Sequence, residues 1–324
     1  MPLVFSNEPF VDKSANHLSK LAELFCELNK KLSNAVVSSQ PVFVRQSRAF
    51  QDGAFSALFK SGNIVSCEFD GHGGEIDGVS VFMDTKIYQL AVQIIVRKVA
   101  FMFREVRTKA QFETALFEAQ AYLASDEYEF FKMGFTYAIS VYNPMSREGM
   151  VYRMGDVGLY KVSQLSGCCR VVPFHQEEIT STDASAFRQP GSSVANILAK
   201  YGYTVRRIGN HLCLKKDDGS FVGSLVANVA MTDFGLDVAE ILYREGVCRI
   251  HSFSLKKNEF FLMGSDGLED YAYYYKQDGD FLQRWLSTAK MPKIILDRET
   301  DDCSATIVGL RTKALKKMLT PEWL

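Results

Sequence analysis

The chain has 324 residues, of which 47% are apolar and 23% charged, and its formal net charge is -1. This composition is typical of a globular protein with room for one large domain or two ordinary ones. The nearly balanced charge gives no basic field that would favour nucleic acid as a partner.

The sequence also argues against export and membrane insertion. Residues 1–20 lack the basic stretch and apolar stretch of a secretory signal, and no apolar run is long enough to cross a membrane. The seven cysteines form no CxxC pair, which favours free thiols in a reducing compartment. We therefore expect a cytoplasmic protein, and delivery into another cell is left open.

The first half of the chain predicts helices and strands in groups. Leucine and phenylalanine at helical spacing over 12–34 predict a helix, within an N-terminal helical segment (1–40) that packs on the main domain. Extended segments are expected at 41–45 and 54–59, on either side of Gln51-Asp52-Gly53. Two helices are expected at 75–108 and 110–124.

The second half predicts mainly strands. The expected elements are strand regions at 134–142 and 149–163, strands at 247–255 and 259–264, a helix at 280–290 and a last strand at Ala305–Leu310. Residues 164–224 are rich in turn residues, and they predict a flap-like insertion with one short helix, Val194–Tyr201, and a hairpin. Grouped strands favour an α+β layered domain over alternating βαβ units.

The most informative stretch is Cys67-Glu68-Phe69-Asp70-Gly71-His72-Gly73-Gly74. An apolar run enters a turn that contains a carboxylate, an imidazole and three glycines, which permit backbone angles and close approaches that other residues resist. Such a turn can hold a hard cation and place a proton donor beside it.

Further carboxylates lie at the ends of other predicted strands. They are Asp52, Asp156, Asp266, Asp270, Asp301 and Asp302. Each one alone fits an ordinary turn, because Asp is common at strand ends. Together they suit Mg²⁺ or Mn²⁺, which prefer oxygen ligands, and a cation would offset their mutual repulsion.

In this order the motifs resemble the metal-dependent protein phosphatases, the PPM or type 2C serine/threonine family, over about residues 45–310. Asp70-Gly71-His72-Gly73-Gly74 resembles the family's hallmark motif. Ser265–Asp270 and Asp301–Val308 resemble two later motifs, and Gln51-Asp52 and Gly155-Asp156 resemble two more. The resemblance implies a four-layer αββα sandwich at 41–312, formed by two antiparallel sheets flanked by helices and followed by a tail at 313–324.

The resemblance also implies roles for these residues. Asp70, the Gly71 carbonyl, Asp266 and Asp301 would bind two core Mn²⁺ or Mg²⁺ ions, with Asp52 acting mostly through water. Asp156 and Asp270 would form a peripheral site for a third ion. His72 would be the general acid that protonates the leaving oxygen.

The sequence departs from the family where the substrate phosphate would bind. Ser47 stands where the family has an arginine, so Arg48 is our candidate and Arg45 the alternative. Gly155-Asp156-Val157-Gly158 lacks the usual Ser-Arg, and Asp302 replaces an Asn. These departures concern substrate handling more than metal binding.

The resemblance predicts hydrolysis of phosphoserine and phosphothreonine in a phosphoprotein substrate by a monomeric enzyme. Two alternatives stay open: a pseudophosphatase that binds or regulates partners without turnover, and an unrelated Mg²⁺ hydrolase of small phosphoesters. Assays on phosphopeptides and nucleotides distinguish the three.

Overall fold

A computed structural model gives the fold of the protein. It describes Glu23 and residues 42–45, 52–72, 75–76, 79–80, 85–123, 134–155, 157–165, 168–174, 193–208, 211–218, 221–225, 240–241, 243–246, 249–265 and 303–309. The helix predicted at 280–290, the tail at 313–324 and, apart from Glu23, which is helical, the N-terminal segment lie outside these residues.

Fifteen strands and three helices are described. The strands of the first half are β1 (Val42–Arg45), β2 (Gly53–Leu58), β3 (Ile64–His72), β4 (Glu75–Ile76), β5 (Val79–Ser80), β6 (Gly134–Asn143), β7 (Glu148–Met154) and β8 (Gly158–Leu165). Those of the second half are β9 (Cys168–Pro173), β10 (Tyr203–Ile208), β11 (His211–Lys216), β12 (Phe221–Leu225), β13 (Ile250–Ser254), β14 (Glu259–Gly264) and β15 (Cys303–Gly309). The helices are α1 (Thr85–Met102), α2 (Lys109–Leu123) and α3 (Ser193–Lys200).

Two five-stranded antiparallel sheets form the body of the molecule. The first sheet has the order β13-β7-β6-β3-β2 and the second the order β1-β15-β14-β8-β9. They face each other, with β15 in contact with β2 and β3. The predicted α+β class, with two antiparallel sheets and helices, is confirmed.

Helices α1 and α2 cover the outer face of the first sheet. Val65, Cys67 and Phe69 of β3 lie in this apolar core together with Phe103 and Phe112, which meet edge to face at 4.9 Å. The helix α1 approaches β2 so closely that a Cβ atom on Gly53 would lie 2.4 Å from Val92 Cγ1. Only a residue without a side chain fits at that contact.

The layer between the two sheets has a separate core. It is centred on Phe253 and Phe261, whose rings stack at 4.7 Å, with Tyr142 stacked on Phe253 at 6.0 Å. On β3, Ile64 belongs to this inner core, so alternation along the strand places Ser66, Glu68 and Asp70 on the same inner face.

The structure corrects two boundaries. Residues 75–76 and 79–80 are not helical as predicted: they are the antiparallel strands β4 and β5, and α1 begins at Thr85. Asp77-Gly78, a common two-residue hairpin sequence, separates those strands. The region 149–163 is two strands, because the chain leaves the first sheet after Met154 and enters the second at Gly158.

Residues 164–224 contain elements of two kinds. Cys168–Pro173 is β9, an edge strand of the second sheet paired with β8, so both adjacent cysteines lie in a strand. The predicted helix is observed as α3, and the hairpin is part of a three-stranded sheet of β10, β11 and β12. Whether this part acts as a flap stays a prediction.

No helix within the described ranges is both long enough and apolar enough to cross a bilayer.

Candidate functional site

The predicted site residues belong to strand ends that meet at one end of the sandwich. In the first sheet β3 ends at His72, β2 begins at Gly53 and β7 ends at Met154. In the second sheet β14 ends at Gly264 and β15 begins at Cys303. The short link from Met154 to Gly158 joins the sheets at this end, so the five strand ends lie on the same side of the molecule. We call it the acidic end.

Asp52 and Asp70 are the two predicted metal ligands whose side chains are described. Asp52 directly precedes β2, and the first β2 residue, Gly53, is paired with Phe69 on β3. Asp70 follows Phe69 on that strand and is paired with Thr136 of β6. Both carboxylates are half-buried, and the Gly71 backbone beside Asp70 is buried. The fold therefore brings Asp52 beside Asp70 and the Gly71 carbonyl. Asp70 and Gly71 lie in strand β3, which runs to His72, and not in the turn that the sequence predicted.

The second sheet brings two more motif segments to this end. Ser265 directly precedes Asp266, and its Oγ accepts a hydrogen bond from the Ser304 backbone N–H at 2.9 Å. The Ser265 N–H in turn donates to the Ser304 carbonyl at 3.1 Å. These bonds tie the end of β14 to the start of β15, two residues after Asp302. Asp266, Asp270 and Asp301 themselves lie outside the described residues.

The link between the sheets carries Asp156, which also lies outside the described residues. Its neighbour Gly155 is buried and has φ 91°, a left-handed conformation that favours glycine. A Cβ atom there would lie 2.4 Å from Thr136 Cβ. The turn that precedes Asp156 therefore requires glycine for two reasons.

The proposed acid and phosphate-binding residues are described only in part. His72 is the last residue of β3 and is paired with Gly134, and Arg45 is the last residue of β1 and is paired with Cys303. Both backbones are therefore at the acidic end. Arg48 lies outside the described residues.

The structure adds one residue that sequence analysis missed, Glu68. Its side chain is completely buried between the sheets, where the Ser304 hydroxyl contacts Oε1 and the Thr306 hydroxyl donates to Oε2 at 2.6 Å. Ser304 Oγ also donates to Asp52 Oδ2 at 3.1 Å. The signal available in the sequence was that Glu68 is a carboxylate at an inward-facing position of the buried strand β3.

Burial raises the pKa of Glu68 well above its usual range. The hydrogen bonds from Ser304 and Thr306 oppose this shift, and the negative charge of Asp52 adds to it. The pKa of its neighbour Cys67, on the outer face of β3, is also raised, first by burial and then by Glu68. Cys67 is thus a thiol packed in the apolar core.

The described donors are of the kind that a hard cation prefers. Asp52, Asp70 and the Gly71 carbonyl offer only oxygen, which suits Mg²⁺ or Mn²⁺. Within the described ranges, no three His, Cys, Asp or Glu side chains cluster closely enough to hold a metal ion. The predicted core set needs Asp266 and Asp301. Ser265, which precedes Asp266, and Cys303, two residues after Asp301, lie at this end.

A surface cavity of about 600 Å³ lies elsewhere. Its lining includes Asn143, Glu148 and Ser254, at the opposite end of the first sheet. It contains none of the predicted site residues.

No protein-family model matches the sequence, and the search of curated proteins finds no match either. Among solved structures, the chain is similar to a sex-determining protein of C. elegans, with 15% identity and a TM-score of 0.52. That alignment covers 87% of this chain and 67% of the other. At this identity the likeness shows the fold alone.

Two serine/threonine phosphatase structures also align. Serine/threonine phosphatase Stp1 from Staphylococcus aureus has 14% identity and a TM-score of 0.48, over 86% of this chain and 96% of that one. The catalytic domain of the serine/threonine protein phosphatase PstP, solved with two manganese ions, has 13% identity and a TM-score of 0.44, over 85% and 98%.

Proposed function

We propose that the protein is a metal-dependent serine/threonine phosphatase of the PPM type. The observation that carries this proposal is the acidic end itself. Strands from two sheets end there, and each is next to a carboxylate motif that resembles the family. Asp52 and Asp70 flank the paired residues Gly53 and Phe69, and Ser265 and Ser304 tie two further motif segments together.

In this proposal Asp70, the Gly71 carbonyl, Asp266 and Asp301 hold two Mn²⁺ or Mg²⁺ ions, and Asp52 contributes mostly through water. Asp156 and Asp270 hold a third ion. The ions, when bound, supply the acidity that makes a bound water nucleophilic at neutral pH. The metal-binding residues, by fixing the ions, position the substrate and exclude other orientations of it.

Side chains of the protein carry out the remaining chemistry, which is proton donation and phosphate binding. His72 donates a proton to the oxygen that leaves as the substrate's serine or threonine hydroxyl. Arg48, with Arg45 as the alternative, binds the phosphate, since a planar guanidinium can donate two parallel hydrogen bonds to it. The substrate is a phosphoprotein.

The test is turnover of p-nitrophenyl phosphate with Mn²⁺, before and after chelation, followed by a phosphopeptide and a nucleotide as competing substrates. We expect Mn²⁺-dependent turnover that chelation removes and Mn²⁺ restores, with preference for the phosphopeptide. Undiminished turnover after exhaustive chelation would exclude the proposed chemistry. Binding of a phosphopeptide without hydrolysis would indicate a pseudophosphatase, and preference for the nucleotide a small-molecule phosphoesterase.

A further inference from the structure

The buried contact between Glu68, Ser304 and Asp52 links the interior to the proposed metal site. Glu68 and Ser304 are completely buried, whereas Asp52 is half-buried at the edge of the layer between the sheets. The three residues come from β3, β15 and the segment before β2, so the contact spans both sheets.

The hydroxyl of Ser304 cannot donate to both carboxyl groups at once, because it carries one hydrogen. Its oxygen nevertheless lies within hydrogen-bond distance of both Asp52 Oδ2 and Glu68 Oε1. The Ser304 side chain therefore lies between the two carboxyl groups and sets the position of one relative to the other.

The second oxygen of Glu68 is also held. Thr306 Oγ1 donates to Oε2 at 2.6 Å, so Oε2 is engaged apart from the contact between Oε1 and Ser304. Oε1 is the atom that holds Ser304 in place, and Ser304 in turn contacts Asp52. Residues that hold a metal ligand in place through hydrogen bonds often affect metal affinity or activity nearly as much as the ligand itself does.

We propose that Glu68 is a positioning residue, which acts through the Ser304 hydroxyl to fix the Asp52 carboxylate for metal binding. This inference rests on the proposed function, because it gives Asp52 a metal to bind. It adds that the site extends inward to a residue that touches neither metal nor substrate.

The test compares four variants of the full chain. Ser304→Ala removes the bond to Asp52, and Glu68→Met replaces the carboxyl with an apolar group of similar size. Glu68→Gln keeps a polar group of the same shape, with a donor for Ser304 and an acceptor for Thr306. Thr306→Val, the matched control, removes the other hydroxyl on Glu68 and leaves Ser304 and Asp52 in contact.

The first readout is calorimetric titration of Mn²⁺. We expect Ser304→Ala to weaken binding by about 10- to 100-fold, with Glu68→Met toward the lower end of that range. Glu68→Gln and Thr306→Val should bind like the parent protein. The double variant Glu68→Met with Ser304→Ala should lose no more than Ser304→Ala alone, since both changes act through one contact.

Two outcomes would overturn the inference. If Glu68→Gln weakens Mn²⁺ binding as much as Glu68→Met, the charge of Glu68 matters instead of its hydrogen bond. If Glu68→Met and Ser304→Ala lower only the melting temperature, as Thr306→Val does, then the contact is merely structural.

A second readout does not depend on the metal. In metal-free crystal structures, Asp52 should keep one conformation in the parent protein and in Glu68→Gln, and should move or split in Ser304→Ala and Glu68→Met. An unmoved Asp52 in both would refute the positioning role. Failure of the parent protein to bind Mn²⁺ would refute the proposed function alone, because the crystal structures would still decide this inference.

Discussion

The layer between the two sheets has two contrasting ends. At one end Phe253, Phe261 and Tyr142 stack into an apolar core. At the acidic end the same two sheets enclose Glu68, Ser304 and Thr306, all completely buried.

One strand passes from the first environment to the second, since β3 begins with Ile64 and reaches Glu68 and Asp70 on the same face. Burying a polar group lowers stability unless its partners are in place. We infer that the apolar end holds the sheets together, whereas the acidic end is maintained for chemistry. The following predictions test that division.

The largest effect is expected from Asp70→Ala at the acidic end. This change removes a proposed core ligand, so Mn²⁺-supported turnover of p-nitrophenyl phosphate should become undetectable. The metal-free melting temperature should stay the same or rise, because one carboxylate is removed from an acidic cluster. Asp270→Ala is the matched control, and it should retain turnover at raised Mn²⁺. Equal losses in the two variants would contradict the assignment of core and peripheral ligands.

His72→Ala should separate substrates by their leaving groups. A general acid contributes most when the leaving oxygen is strongly basic, so phosphopeptide hydrolysis should fall by about 10²–10⁴-fold. p-Nitrophenyl phosphate should be affected much less, because p-nitrophenolate leaves without a proton. Steady-state kinetics on both substrates measure the difference, and equal losses would reject the acid role.

Phe261→Ala at the apolar end should have the opposite character. Loss of a fully buried aromatic ring should lower the free energy of unfolding by about 3–5 kcal/mol. Urea denaturation measures this loss, with Val172→Ala on the exposed edge strand β9 as the control. Below its unfolding transition the variant should bind Mn²⁺ like the parent. Weakened binding in the folded variant would show that the two ends are not separable.

Arg48→Ala should raise KM for phosphopeptide and p-nitrophenyl phosphate alike, since phosphate binding does not depend on the leaving group. Arg45→Ala, the comparison variant, should raise KM less. Steady-state kinetics decide between them: an unchanged KM for Arg48→Ala, with a raised one for Arg45→Ala, would transfer the role to Arg45.

The smallest expected effect is a pH dependence of stability from Glu68. Its folded-state pKa is raised above the ordinary value of 4.5, so the folded protein retains a proton that the unfolded chain releases. Stability should therefore fall as pH rises above that value, until the folded-state pKa is reached. Glu68→Gln should remove this component. Urea unfolding in chelator at several pH values tests it, and a pH-independent difference between the two proteins would contradict it.

Sequence patterns predicted the strands well where apolar runs were bounded by turns. β6, β14 and β15 were located within a few residues, because each carries a nearly continuous buried run. The predicted helix start at residue 75 and the continuous strand region at 149–163 were wrong, because turn residues override the apolar pattern there. Asp77-Gly78 permits a hairpin, and Gly155 permits the turn between sheets.

The site was less predictable than the strands. The sequence showed which carboxylates lie next to strand ends, but it did not show that Glu68 faces Ser304 and Thr306, which lie more than 230 residues away. That contact depends on how two sheets are aligned, and no local pattern encodes the alignment. A charged residue in a strand is usually assigned to the solvent face, which is why Glu68 was missed.

The close approach of α1 to β2 has a consequence for how this sequence can vary. A methyl group on residue 53 would lie 2.4 Å from Val92 Cγ1 and 2.7 Å from Val96 Cγ2. Gly53→Ala therefore requires smaller residues in place of both valines. Because Gly53 follows Asp52 directly, a displaced β2 would move a proposed metal ligand. Positions 53, 92 and 96 should therefore covary among relatives, and a screen for suppressors of Gly53→Ala should recover smaller residues on α1.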